Sequence, residues 1–405
     1  MTAPEAKPPF VAIACGGTGG HLFPGMAVAE QLQKRNCAVA LIISPKDVDQ
    51  QAVKSARGME IVTLPAVGLQ NRNYFSFAGS FVKSLFTARR IFGKRRPAAV
   101  LAMGGFTSAP PIWVGKDFGA RTFLHESNTI PGRANRLLAR FVDEAFVGFP
   151  ETVVRLRAPK VTMTGTPVRS RFQPRDPAAC RTALGLESNR PVVLIMGGSQ
   201  GASGINEIIL SALPALGERA KNWQWLHLTG VNDFEKVKTA YDARGLRAVI
   251  KPFLAEMDLA LGAATVAVSR AGASSLAEIA ALRLPSLLIP YPAAAENHQF
   301  YNARALEKTG AARLLEQKTA TRENVAGLLF ELVEDAAARA KIQAALAQWH
   351  SPKAAEQIAE IMLGACWSSS FSLPAKDRLE PELQQTRGPG GPRSNAAERR
   401  NFSAA

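Results

Sequence analysis

Two glycine-rich runs each follow a short apolar run and directly precede a helical pattern. The first is Gly16-Gly17-Thr18-Gly19-Gly20-His21, and the second is Gly197-Gly198-Ser199-Gln200-Gly201. Glycines let backbone N–H groups approach an anion closely, and the N-terminus of the following helix adds its positive end. We therefore expect both runs to bind phosphate or diphosphate. The first run has neither the order of a dinucleotide fingerprint nor that of a P-loop, and a plain tight turn stays open for it.

A third helix start carries polar groups of another kind. It reads Arg270-Ala-Gly-Ala-Ser-Ser-Leu-Ala-Glu278 after the apolar run 266–269. Ser274 and Ser275 with the first helical amides suit a phosphate, and Glu278 lies one turn further in, within reach of ribose hydroxyls. A capped helix with a solvated Glu278 would produce the same residues. His21, three residues before a helix-starting proline, suits proton transfer better than core packing.

Apolar runs alternate with helical patterns along the chain, which predicts an α/β protein with two doubly wound parallel sheets. In such sheets ligands bind at the carboxyl ends of the strands, where the glycine runs lie. The predicted strands are 10–15, 39–43, 98–102, 122–125 and 145–147 in the first half, and 192–196, 225–228, 248–251, 266–269 and 286–289 in the second.

Glycine and proline near 165–169 indicate a boundary between an N-terminal domain, 1–166, and a second domain, 167–350. The stretch 320–363 is helical in pattern, and Pro352 should divide it into two helices. We expect the last helix, 351–366, to return to the first domain. The tail 367–405 is rich in Pro, Gly, Ser and charge, which predicts disorder.

The composition narrows the class of protein and its compartment. The chain has 405 residues, 47% hydrophobic, and a net charge of +16. Four scattered cysteines predict neither a zinc site nor disulfides, and no run is long enough for a membrane span. These features favour a cytosolic, globular protein. Residues 1–166 carry 21 basic and 10 acidic side chains, against 22 and 19 in 167–366, so the first half should meet an anionic partner.

The segment Phe75 to Arg96 joins aromatic and basic residues without an acid. This pattern is typical of a helix lying in a lipid headgroup layer, although an amphipathic core helix with a basic solvated face would share it. No helix-turn-helix, zinc knuckle or RNP-like aromatic pattern indicates nucleic acid. The expected membrane-contact residues are Phe75, Phe81, Leu85, Phe86, Arg89, Arg90, Phe92, Arg95 and Arg96.

Seven motifs together resemble the MurG family of N-acetylglucosaminyltransferases within glycosyltransferase family 28. They are the stretches 16–25, 103–106, 125–128, 165–169, 197–202, 269–272 with Glu278, and 297–299 with Asn302. The resemblance implies a GT-B fold, with two Rossmann-like domains facing across a cleft. Phe106 stands where many relatives have Tyr, and Ser274, Ser275 and Ala277 also depart from one familiar pattern. The resemblance covers residues 10 to about 365.

The resemblance further implies an inverting, metal-independent transfer of GlcNAc from UDP-GlcNAc to the MurNAc 4-hydroxyl of lipid I. Lipid I is undecaprenyl-pyrophosphoryl-MurNAc-pentapeptide, and the product is lipid II of peptidoglycan, which underlies cell-wall biogenesis, cell shape and cell division. It implies no cofactor, and a peripheral location on the cytoplasmic face of the inner membrane. The implied UDP-GlcNAc-binding residues are Thr18, Gly19, Gly20, Asn128, Arg169, Ser199, Leu254, Ala273, Ser274, Ser275, Leu276, Ala277, Glu278 and Gln299.

The displacement needs a base, and His21 is the first candidate because a neutral imidazole accepts a proton near pH 7. His125 and Glu126 are alternatives that the sequence does not rank. Asp47-Val48-Asp49 resembles a metal-binding Asp-x-Asp, but its place before a helix favours capping and solvation. A diacylglycerol glycosyltransferase, a UDP-GlcNAc 2-epimerase and a non-catalytic membrane-docking protein remain open alternatives.

Overall fold

The structure, a computed structural model, describes residues 8–17, 19–46, 49–50, 58–66, 74–198 and 201–367. Thr18, Ser199, Asp47 and the tail from 368 onward lie outside the described residues, so the expectations placed on them stay predictions.

The first half is built on a seven-stranded parallel sheet with the strand order β3-β2-β1-β4-β5-β6-β7. Its central strand is buried on both faces, since Val11 and Ile13 join one hydrophobic cluster while Ala12 and Ala14 join the other. Near-continuous apolar strands are typical of such doubly covered sheets. The strands are β1 (Phe10–Ala14), β2 (Ala38–Ile43), β3 (Glu60–Thr63), β4 (Ala99–Ala102), β5 (Arg121–Glu126), β6 (Glu144–Val147) and β7 (Val161–Met163).

The second half repeats this plan with six parallel strands in the order β10-β9-β8-β11-β12-β13. One continuous hydrophobic cluster encloses the sheet. The strands are β8 (Val192–Met196), β9 (Gln224–Leu228), β10 (Ala248–Lys251), β11 (Val266–Ser269), β12 (Ser286–Leu288) and β13 (Arg313–Leu314).

Helices connect the strands and cover both sheets. In the first half they are α1 (Gly19–Gln33), α2 (Tyr74–Lys94), α3 (Ala109–Asp117), α4 (Arg133–Leu138) and α5 (Pro150–Val153). They continue as α6 (Pro177–Ala183), α7 (Ser203–Leu216), α8 (Phe234–Asp242), α9 (Met257–Ala263), α10 (Ala273–Ala281), α11 (His298–Lys308), α12 (Arg322–Glu334), α13 (Ala336–Ala347) and α14 (Ala354–Trp367).

All ten predicted strands are confirmed to within one or two residues at their ends, but β3, β7 and β13 were not predicted. The prediction of two helices after residue 320 is wrong, because three form there. Asp335 ends α12 and caps α13 by accepting the backbone N–H groups of Ala337 and Ala338, both at 2.9 Å. The additional break is thus caused by a local capping residue, which the helical pattern did not indicate.

In both sheets the strand order reverses beside the first strand of the half. The reversal lies between β1 and β4 in the first sheet and between β8 and β11 in the second. Loops diverge at such a point and leave a crevice at the carboxyl edge, where ligands bind in open α/β sheets. The fold therefore places the glycine runs and the start of α10 at the two crevices.

Helix α14 follows the second sheet along the chain but packs against the first half. It contacts α1, β4 and β5. Ala355, Ile358 and Met362 are buried in one hydrophobic cluster of the first sheet. The first sheet is therefore stabilised by a helix that follows the second sheet in the chain.

Candidate active site

His21 lies in the first turn of α1, where the loop after β4 comes very close to it. Gly104 and Gly105 have φ values of 106° and 80°, and a Cβ on Gly104 would lie 3.0 Å from His21 Cε1. A Cβ on Gly105 would lie 3.5 Å from His21 Nε2. The two glycines thus provide both the left-handed backbone and the space that bring this loop against the imidazole.

The surroundings of His21 favour its neutral form. Burial lowers the pKa of His21 below its usual range, while the Glu126 carboxylate, the Met103 carbonyl and Asp49 oppose that shift. His298 adds to the lowering. A neutral imidazole in a crevice accepts a proton from a hydroxyl group, which is the chemistry expected of a general base.

Glu126 has both carboxylate oxygens fully engaged and is only 2% exposed. Oε1 accepts the backbone N–H and the side-chain amide of Asn128, at 2.9 and 3.0 Å. Oε2 accepts from Gly132 N at 3.0 Å and from Asn135 Nδ2 at 2.7 Å. Glu126 therefore organises the loop after β5 and adds a negative charge near His21, instead of standing free to take a proton.

His125 is completely buried, and both of its ring nitrogens have partners. Nε2 lies 3.0 Å from the Gly165 carbonyl oxygen and Nδ1 lies 3.2 Å from Ser127 Oγ. Burial lowers the pKa of His125. These contacts join β5 to the loop after β7, and they do not suit the role of base that the sequence left open for this residue.

A cavity of about 310 Å³ opens between the carboxyl edges of the two sheets. Residues of both halves line it. Eight of the expected UDP-GlcNAc-binding residues are among them: Gly19, Gly20, Arg169, Leu254, Ala273, Ser274, Ser275 and Glu278. The fold therefore brings together, in one cavity, residues that lie up to 259 positions apart in the chain.

Arg169 and Glu278 form a buried ion pair on the wall of this cavity. Arg169 Nη2 donates to Glu278 Oε1 at 2.9 Å, and the guanidinium carbon lies 3.9 Å from the centre of the Phe23 ring. Burial raises the pKa of Glu278 and Arg169 opposes that rise. Within the part of the chain that the structure describes, Arg169 Nε is buried without a hydrogen-bond partner. An anion in the cavity would find donors that the ion pair leaves unsatisfied.

Two of the expected donor-binding side chains do not face the cavity. Leu276 is 2% exposed and belongs to the core of the second half. Both Leu276 and Ala277 line a separate small cavity next to Phe149 and Trp349. The helical rotation of α10 turns these two side chains away from the cavity, and the assignment of both residues to donor binding stays a prediction. Their backbone amides remain near the helix start.

Asn128 and Gln299 also hold other parts of the protein. Asn128 Oδ1 accepts from Asn302 Nδ2 at 3.0 Å. Gln299 Oε1 accepts the backbone N–H groups of Ala271 and Tyr291, at 3.2 and 3.0 Å. Gln299 thereby fixes the backbone just before α10.

Arg270 is a buried cation that the motif contained but the sequence did not single out. Its guanidinium donates to the carbonyl oxygens of Ile289 and Pro290, both at 3.0 Å, and to Gln317 Oε1 at 2.8 Å. It is 8% exposed. These partners are neutral, so they do not compensate its positive charge, which lies three residues before Ala273, the first residue of the cavity-lining helix.

Polar contacts tie the two halves together beside the cavity. Asn302 on α11 is fully buried, and its Oδ1 accepts from the backbone and hydroxyl of Thr129, at 2.9 and 3.0 Å. Glu296 accepts from Arg133 and Arg136 of α4, at 3.1 and 2.6 Å. The sequence analysis noted Asn302 within a motif, but the partner in the other half was visible only in the structure.

Helix α2 presents part of the basic aromatic segment to solvent. Phe75 is 93% exposed and Phe86 is 71% exposed. Phe81 packs edge-on against Trp113, at 5.4 Å between ring centres, and Leu85 is half-buried. Phe92 is 0% exposed in the core of the first half. The expectation of membrane contact is therefore wrong for Phe92, because its face of the helix packs on the sheet.

The basic residues of this segment are exposed, and three of them also have partners. Arg89 pairs with Asp117 at 3.2 Å. Arg95 lies 4.7 Å from the centre of the Phe10 ring, and Arg96 lies 6.0 Å from that of Phe118. Arg90 is exposed as well. Among the residues that the structure describes, none of the helices combines the length and apolar character that a membrane span requires.

The sequence analysis missed three aromatic residues of these surfaces. Trp113 and Phe141 extend the aromatic patch, with their rings 6.3 Å apart. Phe253, 55% exposed, lines the cavity next to Leu254. The exposure of Phe253 has no sequence signal apart from its place in the loop after β10.

Comparison with known proteins identifies both halves. The model of the glycosyltransferase family 28 N-terminal domain matches residues 11–147, and that of the family 28 C-terminal domain matches residues 192–358. The first matched region holds β1 to β6 apart from Phe10, and the second holds all six strands of the second sheet.

The chain is also similar to curated and solved proteins over most of its length. It is 34% identical over 385 residues to the UDP-N-acetylglucosamine–N-acetylmuramyl-(pentapeptide) pyrophosphoryl-undecaprenol N-acetylglucosamine transferase of Anaeromyxobacter sp. (strain K), covering 91% of this chain and 97% of the relative. It is 36% identical over 321 residues to the enzyme of the same name from Syntrophus aciditrophicus, with 78% and 87% covered.

Among solved structures, MurG of Acinetobacter baumannii matches with a TM-score of 0.69 and 26% identity, covering 88% of this chain and all of that one. Phytolacca americana UGT2, solved with UDP-2-fluoro-glucose and pterostilbene, shares the fold at a TM-score of 0.63 and 16% identity, with 89% and 100% covered. With family-specific domains on both sheets and close relatives spanning nearly the whole chain, the protein belongs to glycosyltransferase family 28.

Proposed function

We propose that this chain transfers GlcNAc from UDP-GlcNAc to the 4-hydroxyl of MurNAc in lipid I, with inversion at the anomeric carbon. The relatives named above carry this activity in their names. The observation that carries the proposal is the cavity where Gly19 and Gly20 of α1 meet Arg169, Glu278 and the start of α10. UDP-GlcNAc held there by the second half would present its GlcNAc to His21.

In this proposal the first half, 1–166, takes the lipid acceptor and the second, 167–350, takes UDP-GlcNAc, while 351–366 supports the first half. His21 removes the proton of the attacking hydroxyl as the new glycosidic bond forms and the bond to UDP breaks. The amides at the start of α10 and Arg169 stabilise the negative charge that develops on the departing UDP.

Donor binding would exchange the partners of the Arg169–Glu278 ion pair. The diphosphate attracts Arg169, and the ribose hydroxyls replace the guanidinium as hydrogen-bond donors to Glu278. The backbone of Leu254 contacts the uracil. The side chains of Asn128 and Gln299 bind the GlcNAc hydroxyls.

One assay tests the reaction against the alternatives. Radiolabelled UDP-GlcNAc is offered with lipid I, with diacylglycerol, and without acceptor. We expect label in the lipid fraction only with lipid I. Transfer to diacylglycerol would identify a glycolipid glycosyltransferase, and conversion of UDP-GlcNAc without acceptor would identify an epimerase. Either result would replace the proposed function.

We further propose that the protein docks on the cytoplasmic face of the membrane through the exposed face of α2, as a peripheral protein. Phe75 and Phe86 supply apolar surface, and the arginines of the segment add attraction to anionic lipid, each by about 1 kcal/mol. Because Arg95 and Arg96 also contact core aromatics, aromatic substitutions test this docking more cleanly than reversal of charge.

The double variant Phe75→Ser with Phe86→Ser should weaken binding to anionic vesicles about 10²- to 10⁴-fold, since burial of each of the two aromatics contributes roughly 1.5–3 kcal/mol. The melting temperature should not change, and sedimentation with vesicles measures the binding. Phe253→Ser, which removes an exposed Phe from the other half, is the control and should leave vesicle binding intact. Equal binding by the double variant and the wild-type protein would exclude this docking surface.

A further inference from the structure

The first glycine run is held from both sides by the residues that follow β2. Asp49 Oδ2 accepts the backbone N–H of Gly17 at 2.6 Å, and Lys46 Nζ donates to the Gly17 carbonyl oxygen at 3.2 Å. Asp49 also accepts from Ser44 Oγ at 2.5 Å and is fully buried. A Cβ on Gly16 would lie 2.3 Å from Ser44 N, so the glycine run lies directly against this segment.

These contacts change what the glycine run offers to an anion. The Gly17 amide already donates to a carboxylate, so it is not free to donate to a phosphate. The buried negative charge of Asp49 would also repel a phosphate nearby. The Gly17 amide is therefore not among the donors that this run offers, and a diphosphate here requires a further positive charge.

Lys46 provides such a charge beside the Gly17 loop. Its side chain is exposed, and its ammonium lies 5.4 Å from the centre of the Phe106 ring. Among the residues that the structure describes, its polar contact is a neutral carbonyl oxygen, and no carboxylate forms an ion pair with it. An ammonium has three donors, so Lys46 keeps hydrogen-bonding capacity for a ligand.

The position of Lys46 relative to His21 indicates which diphosphate it meets. His21 lies against Gly105, and the ring of the next residue, Phe106, contacts the ammonium of Lys46. In the acceptor, the diphosphate is attached to the anomeric carbon, across the sugar ring from the 4-hydroxyl. A cation that binds the acceptor diphosphate should therefore lie about one sugar ring away from His21. In the proposed function, the donor diphosphate is bound by the second half instead.

We propose that Lys46 binds the diphosphate of the lipid acceptor, held in place by Phe106 and by the Gly17 loop that Asp49 fixes. This inference depends on the proposed function, because it assigns a binding residue to the acceptor of that reaction. Asp49 is then a positioning residue, which fixes the carbonyl that Lys46 contacts.

The test is steady-state kinetics of Lys46→Met on lipid I dispersed in neutral detergent, without anionic lipid. Loss of a charge-assisted hydrogen bond should raise the KM for lipid I about tenfold or more, with the KM for UDP-GlcNAc unchanged. Lys46→Arg keeps the charge and should restore a KM close to that of the wild-type protein. Lys34→Met is the matched control, because Lys34 is exposed in the same half just past the far end of α1.

Three results would overturn the assignment. A rise in the KM for UDP-GlcNAc instead would place the ammonium on the donor diphosphate. An effect that appears only when anionic vesicles are added would assign Lys46 to lipid headgroups. An unchanged KM for lipid I, with normal wild-type turnover, would refute the role of Lys46 alone, whereas a wild-type protein inactive on lipid I would refute the proposed function as well.

Discussion

The two crevices of the molecule are built at equivalent points of similar sheets, yet the buried charged groups around them differ. Around the first glycine run, the buried charged groups are the carboxylates Asp49 and Glu126. Around the start of α10, the guanidinium groups of Arg169 and Arg270 are buried together with the carboxylate of Glu278, which pairs with Arg169. The same strand order therefore carries two different electrostatic environments.

This difference matches the two tasks that a glycosyl transfer divides between its substrates. The departing nucleotide gains negative charge, and preorganised positive groups stabilise it. The attacking hydroxyl must lose a proton, so the acceptor needs an oriented base. Nearby carboxylates stabilise the positive charge that this base gains. Sheet topology thus places the two crevices, while the buried side chains around each one give it a different set of charges.

The largest effect is expected from removal of the base. His21→Ala should lower kcat about 10²- to 10⁴-fold, because proton transfer from a positioned group contributes that much. The KM for UDP-GlcNAc should change little, and radiolabel transfer to lipid I measures both. His350→Ala, at a half-buried histidine outside the crevice, is the control. A loss of affinity for UDP-GlcNAc as large as the loss of kcat would contradict this role, because it would assign His21 to donor binding.

A smaller effect is expected when Arg270, whose hydrogen-bond partners among the described residues are neutral, loses its charge. Arg270→Met should weaken UDP binding about 10- to 100-fold, since a buried charge near an anion contributes on the order of 1.5–3 kcal/mol. Calorimetry with UDP measures it. Arg313→Met is the comparison variant, because Arg313 pairs with Glu331 at 2.6 Å and should affect UDP little. Equal effects of the two variants would show that the change acts through folding.

The smallest effect concerns the pH dependence of the acceptor side. The pKa of His21 is lowered by burial and raised by Glu126, the Met103 carbonyl and Asp49, while His298 lowers it further. Activity should fall as pH drops through this pKa, because the protonated imidazole accepts no proton. Glu126→Gln removes a charge that favours the imidazolium, so the acidic limb of kcat/KM should move to lower pH. A shift to higher pH, or none, would contradict the role of Glu126.

Much of the fold could be predicted because its central strands are continuous apolar runs. The missed strands lie toward the edges of the sheets, where this signal fades. β3 contains Glu60 and is only partly buried, β7 is three residues long, and β13 is two. An edge strand is specified by the neighbour it pairs with more than by its own hydrophobicity.

The sequence by itself determined the strand and helix pattern, the glycine runs and the family motifs. Each of these is local in the chain, because a turn requires glycine and a buried strand requires apolar residues wherever they occur. The tertiary structure alone decided that Phe86 faces solvent while Phe92 is buried, although both are aromatic residues of α2.

It also decided that Asp49, expected to be solvated, reaches Gly17 across 32 positions of the chain. Likewise, it joined Arg169 to Glu278 across 109 positions. Such partners depend on how strands and helices pack in space, and residue types and spacing do not encode that packing locally.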